Sequence, residues 1–328
     1  MTRALVIGGT GFVGRHTVAQ FQAQGYDVTV CSRGRTTLPS TVESAEHVRV
    51  DRSDEDDLAA VAETVDPSIV VDCAAYHPAD VRTVTRLFAD AEAYVYVSSG
   101  AAYGVESIPK REAETPLFDC TPEQAADDSA ATYGSRKAAG DRAVFDAAED
   151  GVPAMSVRPS NVYGPGDYSG YLDYWIDRVE RFDHVVVPGD GTNIWHRAYV
   201  EDVASALRLV AERGTPGEAY NVADRRATTL GELIDRVAAV LDTEVERVHA
   251  CPRELEAREI DPRAFPYYRD DPHLLATGKL AALGWDSTPL EAALETTITE
   301  YHESDRDGSD HGPARAETAR LLERRDEG

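Results

Sequence analysis

Short β-branched runs alternate with helix-period segments through the first half of the chain. Ala4-Leu-Val-Ile7, Val28-Thr-Val30, Val48-Arg-Val50, Ile69-Val-Val71, Tyr94-Val-Tyr-Val97 and Ala154-Met-Ser-Val157 read as strands. Between them the apolar spacing predicts helices at about 12–24, 54–64, 78–89 and 131–148. Strands that alternate with helices imply an α/β fold, a doubly wound parallel sheet with helices on both faces. Beyond Pro159 the texture changes to Gly, Pro, Tyr and Trp turns, with two further helical patterns near 201–213 and 229–241. The expected division is a first domain over 1–165, with 185–213 returning to it, and a smaller C-terminal α/β lobe over 166–302. From Glu303 the pattern Ser-Asp-Arg-Asp-Gly-Ser-Asp-His-Gly-Pro has no apolar period, which predicts a charged, flexible tail over 303–328.

With 328 residues, 42% of them hydrophobic, the chain is long enough to bury a sizeable core. Its formal net charge is -26 and only three lysines, Lys110, Lys137 and Lys279, stand beside the arginines. This composition resembles a halophilic proteome and argues against nucleic acid or an anionic membrane surface as main partner, because neutralising phosphates takes a basic patch. Cys31, Cys73, Cys120 and Cys251 show no CxxC pair, and His77, His184, His196 and His273 share no ligand spacing, so no metal or disulfide framework is expected. The N-terminus runs straight into a strand with no basic leader or long apolar stretch, and a cytoplasmic protein is expected.

Directly after the first strand stands Gly8-Gly9-Thr10-Gly11-Phe12-Val13-Gly14, and a helix follows. Glycines at this spacing allow a tight turn, close approach of backbone to a pyrophosphate, and close packing of helix on strand. The helix N-terminus adds amides and a positive dipole end. In this position the turn points to a Rossmann-type dinucleotide site, although a glycine turn alone can be purely structural. The second strand ends in Ser32-Arg33-Gly34-Arg35, without the acidic residue that accepts a ribose 2′-hydroxyl. Arg33 and Arg35 suit a 2′-phosphate, which leans to NADP; if Arg33 instead stacks on adenine, NAD stays open. Asp51 and Arg52 follow the third strand and are both expected to bind the dinucleotide, although Asp51, placed for the adenine amino group, also suits a solvated loop.

Tyr133 and Lys137 lie four apart on the fourth predicted helix, so their side chains share a face. An ammonium beneath a phenol favours its ionised form and makes it usable as a base near neutral pH. Ser99 follows the fifth strand at the carboxyl edge of the sheet, where ligands bind in such folds.

Taken in order, Gly8 to Gly14, Asp72-Cys-Ala-Ala75, Ser99 before Tyr103-Gly104, Tyr133-x-x-x-Lys137, Arg158-Pro-Ser-Asn-Val-Tyr-Gly-Pro165 and Tyr199-Val-Glu-Asp202 resemble the extended short-chain dehydrogenase/reductase family, in its epimerase/dehydratase branch. The resemblance covers about residues 1–300. It implies a Ser99/Tyr133/Lys137 triad in which Tyr133 takes the proton of a substrate hydroxyl, Lys137 lowers the tyrosine pKa and holds the nicotinamide ribose, and Ser99 orients the oxygen. Ala74 and Ala75 are expected along the adenosine path, and Pro159, Asn161 and Val162 over the nicotinamide. Asn161, His196, Arg197 and Tyr268 are expected toward a sugar-type substrate held by the C-terminal lobe. Dehydratases of this family carry an acidic pair just after the catalytic Ser or Thr, whereas Gly100 and Ala101 stand here; Trp195 takes the place of the family's arginine before Tyr199-Val-x-Asp202.

The expected activity is therefore a sugar or nucleotide-sugar epimerase, with a dehydrogenase or reductase of a small hydroxy or keto substrate as the near alternative. A non-catalytic dinucleotide sensor or RNA-associated protein is the rival of another class. Asp80-Val-Arg82, Tyr174-Trp175 and Phe265-Pro-Tyr-Tyr268 bring the chain close to an atypical subgroup with bacterial relatives of chloroplast stem-loop-binding proteins. A homodimer through the helices that begin near Ala79 and Ala131 is what the resemblance implies for assembly.

Overall fold

The computed structural model describes residues 2–36, 42 and 44–322. Its elements run β1 (Arg3–Ile7), α1 (Phe12–Ala23), β2 (Asp27–Ser32), β3 (Glu46–Arg49), α2 (Glu55–Val65), β4 (Ile69–Asp72), α3 (Pro78–Leu87), β5 (Ala93–Val97), α4 (Pro122–Ala126), α5 (Tyr133–Glu149) and β6 (Ala154–Pro159). The second half continues with β7 (Asn161–Tyr163), α6 (Tyr171–Arg181), β8 (His184–Pro188), β9 (Arg197–Tyr199), α7 (Val200–Arg213), β10 (Ala219–Val222) and α8 (Leu230–Val240). Last come β11 (Glu246–Ala250), α9 (Pro252–Glu256), α10 (Gly278–Ala282), α11 (Leu290–Glu303) and α12 (Arg315–Leu322).

The chain divides into two compact units. The first comprises residues 1–160, 200–223 and 275–287. It holds a seven-stranded sheet in the order β10-β6-β5-β4-β1-β2-β3, every pair parallel. Strands β4 and β5 are buried along their whole length, as expected of a sheet covered on both faces. Helices α1 and α7 pack together, as do α3 and α5. Leu58, Val61, Val81, Val84 and Val144 bury their side chains with Leu5, Val70, Tyr94 and Tyr96 of the sheet. Helix α2 begins where Asp54 accepts from the Asp57 amide, with Glu55, Asp56 and Asp57 placed favourably at the positive end of its dipole.

The second unit comprises residues 161–199, 224–274 and 288–328 and contains two short parallel pairs, β7 with β9 and β8 with β11. Trp175 is completely buried on α6, where its indole N–H donates to the Pro266 carbonyl at 3.0 Å. The boundaries differ from the sequence expectation, the first segment ending at residue 160 instead of 165. The return to the first unit starts at Val200 instead of 185, and 275–287 joins it as well, because β10 and α10 pack against each other. The expected flexible tail is folded over its described part: Arg306 pairs with Asp173 at 2.8 Å, Gly308–Asp310 forms a 3-10 turn, and α12 packs on β8. Residues 323–328 lie outside the described residues.

All three lysines point their ammonium groups at backbone carbonyls. Lys110 reaches Val105 O, Lys137 reaches Ala75 O and Val97 O, and Lys279 reaches Ala219 O.

Candidate active site

Above the carboxyl ends of the first unit's strands lies a cleft of about 1000 Å³. Gly8, Thr10, Gly11, Arg33, Arg35, Asp51, Arg52, Ala74 and Tyr133 line it. The glycine turn forms its floor. Gly8 has φ +79°, and a Cβ there would stand 2.8 Å from the Ala74 methyl. A Cβ on Gly14 would collide with the Gly8 carbonyl, so α1 lies directly against the turn. The N-cap of α1 is Gly11, which has no side chain to cap the helix. Phe12, Val13 and Gly14 form the first turn of α1 behind that cap. Backbone cradle, uncapped helix end and volume together fit a dinucleotide pyrophosphate.

At the outer end, Gly34 N donates to Ser32 Oγ at 3.2 Å, and Ser32 Oγ also meets His47 Nε2 at 2.8 Å. These bonds shape the loop that carries Arg33 and Arg35 into the cleft wall. The Asp51 carboxylate is held below the usual range by the amide and hydroxyl of Ser53, with Arg33 and Arg35 adding to the effect. Arg52 lines the cleft, but its guanidinium is bidentate on buried Asp72, at 2.7 and 3.1 Å.

Tyr133 opens α5 and Lys137 lies one turn further on, its Nζ 5.8 Å from the centre of the Tyr133 ring. Lys137 is buried, and burial lowers its pKa to about 8 against the opposing pull of Asp72 and Asp141. Its Nζ donates to Ala75 O and Val97 O, both at 2.8 Å, and also lies 4.9 Å from the centre of the Tyr96 ring and 5.1 Å from that of Tyr76. Ser99 caps the 3-10 turn Gly100–Ala102 by accepting from Ala101 N at 3.1 Å. That turn abuts the start of α5: a Cβ on Gly134 would stand 2.5 Å from the Ala101 carbonyl. Tyr133, Lys137, the glycine turn and the Ser99 turn are thus parts of one unit. Pro159 ends β6 in the same unit.

Asn161, Val162, His196, Arg197 and Tyr268 belong to the second unit. Asn161 and Val162 on β7 pair in register with Arg197 and Ala198 on β9. His196 is buried and its Nε2 meets the Asp224 carbonyl at 2.7 Å; since a carbonyl only accepts, Nε2 carries the proton. Arg197 is also buried. It donates to Thr228 and lies over the Tyr267 ring at 5.2 Å, so its guanidinium is engaged within the lobe. Tyr268 is half-buried beside Gly189.

Sequence reading missed Tyr76 and Tyr96 around the lysine, and Asp141 below it. Asp141 stands four residues after Lys137, and Tyr94 and Tyr96 alternate on β5, so the helical and strand periods carried that signal.

The family model described as NAD dependent epimerase/dehydratase family matches residues 4–223, two thirds of the chain. The chain belongs to that family. It is therefore an NAD(P)-dependent enzyme of the epimerase/oxidoreductase type, with a Rossmann-type fold. Among similar proteins is 2'-dehydrokanamycin reductase of Streptomyces kanamyceticus, 29% identical over 80% of this chain and 73% of that protein. Another is the chloroplast stem-loop binding protein of 41 kDa b from Arabidopsis thaliana, 25% identical over 86% of this chain and 74% of that one. The solved dTDP-glucose 4,6-dehydratase of Bacillus anthracis, in complex with NAD, shares the fold with a TM-score of 0.72 at 20% identity, over 93% of this chain and 98% of that structure. This family membership accounts for the order of motifs that runs from Gly8 to Asp202.

Proposed function

We propose that the protein oxidises and reduces a carbinol carbon of a sugar or nucleotide sugar, with Tyr133 as proton acceptor, Lys137 beneath it and Ser99 orienting the substrate oxygen. The observation that carries the reading is the buried ammonium of Lys137 one turn after a tyrosine on the wall of the glycine-turn cleft. Gly8 to Gly14 would hold the pyrophosphate of a nicotinamide dinucleotide, Ala74 and Ala75 its adenosine side, and Lys137 its ribose. When bound, that cofactor supplies the two-electron acceptor and donor. Lys137 keeps positive charge below the phenol, so Tyr133 loses its proton more readily and can take one from a substrate hydroxyl. Two of the three ammonium protons are fixed on carbonyls, which sets the direction of the third.

Arg33 and Arg35 favour NADP, because a 2′-phosphate meets two guanidinium groups at the cleft wall, and the end of β2 carries no acidic residue for the ribose of NAD. Asn161 and Tyr268 are the substrate-side candidates. Epimerisation is the first reading, since Gly100 and Ala101 supply no acid or base for water loss. Net reduction of a keto sugar is the second, favoured by the likeness to 2'-dehydrokanamycin reductase. The charge of -26 weighs against an RNA partner despite the name of the Arabidopsis relative. A homodimer through α3 and α5 completes the proposal.

The test has two parts. Nucleotides released from purified protein are identified by mass spectrometry, and turnover is followed on a panel of sugar and sugar-nucleotide alcohols and ketones, by nicotinamide absorbance and by proton NMR of the sugar. Tyr133→Phe is expected to lower kcat by roughly 100-fold or more while dinucleotide affinity is kept. Full activity in that variant sinks the reading. A change of sugar stereochemistry without net cofactor reduction selects the epimerase; stoichiometric cofactor oxidation selects the reductase.

A further inference from the structure

Arg52 stands at the cleft wall, yet its guanidinium faces inward. Nη1 and Nη2 donate to Asp72 Oδ1 and Oδ2 at 2.7 and 3.1 Å, and Nε faces Asp80 at 3.6 Å. Asp72 ends β4 and is fully buried, and its oxygens also accept from the Ala74 amide at 3.0 Å and the Tyr94 hydroxyl at 3.3 Å. The turn that starts at Asp72 reaches Ala75, whose carbonyl accepts from Lys137. On its other flank the same turn presses Ala74 against Gly8. A guanidinium at one end and an ammonium at the other therefore grip one four-residue turn, with the glycine turn beside it.

We propose that Arg52 is a positioning residue for Lys137, acting through Asp72, and not a phosphate ligand of the dinucleotide. The inference rests on the role given to Lys137 above and deepens it. Turning Arg52 out to a phosphate would strand a buried carboxylate, which a structure avoids. In place, the pair fixes the carbonyl that aims Lys137 and sets the charge around it. The groups facing Lys137 are Asp72 and Cys73 from the end of β4, Arg52 from the loop before α2, Tyr76 from the loop before α3, Tyr96 from β5, and Tyr133 and Asp141 from α5. Asp72 favours the ammonium and Arg52 opposes it. Burial pushes the Cys73 thiol up to about 12, so it stays neutral through the working range.

The two partners of the pair thus predict shifts of opposite sign. Protein labelled with ¹³C,¹⁵N-lysine has three Nζ signals, assigned with Lys110→Arg and Lys279→Arg, and the Lys137 signal is followed against pH. Arg52→Met removes a nearby cation and leaves the Asp72 carboxylate without its ion-pair partner, so the Lys137 midpoint is expected to rise by about one pH unit. Asp72→Asn removes the favourable anion, and the midpoint is expected to fall by a similar amount. If one variant does not fold, the sign of the shift in the other decides. Midpoints that stay put, or that move the same way in both variants, overturn the proposal and leave the pair a mere strut. So does a loss of NADP⁺ affinity of tenfold or more in Arg52→Met with an unmoved Lys137, which would return Arg52 to phosphate binding. None of these readings uses turnover, so they stand or fall separately from the activity of Tyr133→Phe.

Discussion

At residue scale, the Tyr133–Lys137 pair was legible because its geometry is local to one helical turn. The partners of Lys137 were not, since the carbonyls that hold it stand 62 and 40 positions away in sequence and converge only when β4 and β5 lie side by side. Arg197 and His196 illustrate the reverse: residue type suggested ligand contact, and only the fold shows that both side chains are buried and hydrogen-bonded within the second unit. Burial also acts on Asp167 in the second unit, raising its pKa to about 6 although the amide and hydroxyl of Ser169 both donate to it. Because the folded carboxyl keeps its proton up to a higher pH than the unfolded one, Asp167 costs stability as pH rises from about 4 through 6. Asp167→Asn, which keeps an acceptor for the Ser169 amide, should therefore stabilise the protein by on the order of 2 kcal/mol at pH 8 and by nothing below pH 4. Denaturant titrations at the two pH values check this; an equal change at both would remove the titration from the explanation.

At the scale of elements, the strand and helix order of the first unit follows the apolar periods closely, because β-branched runs and helical spacing are local signals. The second unit was less legible: β7, β8, β9 and β11 are short pairs joined by turns, and periodicity needs length to show. The tail was misread for a similar reason, since Arg306 and α12 are ordered by partners in α6 and β8 and not by a pattern of their own. One contact between elements controls the site. Gly134 lets the start of α5 approach the Ala101 carbonyl and the Phe118 ring. Gly134→Ala is expected to push the Ser99 turn away from Tyr133, costing about 1–3 kcal/mol of stability. It should also lower kcat more than it raises KM, measured by thermal melts and steady-state kinetics. A variant with parental kinetics would show that the spacing of turn and helix is slack.

For the whole molecule, the charge of -26 sets the response to the medium. Surface carboxylates repel one another, and salt shortens the reach of that repulsion from about 10 Å at 0.1 M to about 3 Å at 1 M. The melting temperature should climb by several degrees between 0.1 and 2 M KCl and much less with sucrose at matched osmolality. A parallel rise in both would point to excluded volume instead of charge. The lysines add a consequence of a different kind. Lys110 and Lys137 are buried and Lys279 is two-thirds covered, each bound to a carbonyl. The described exterior is thus almost without side-chain amines, and acylating labels, aldehyde fixatives and lysine-directed proteases will find little to act on until the protein opens.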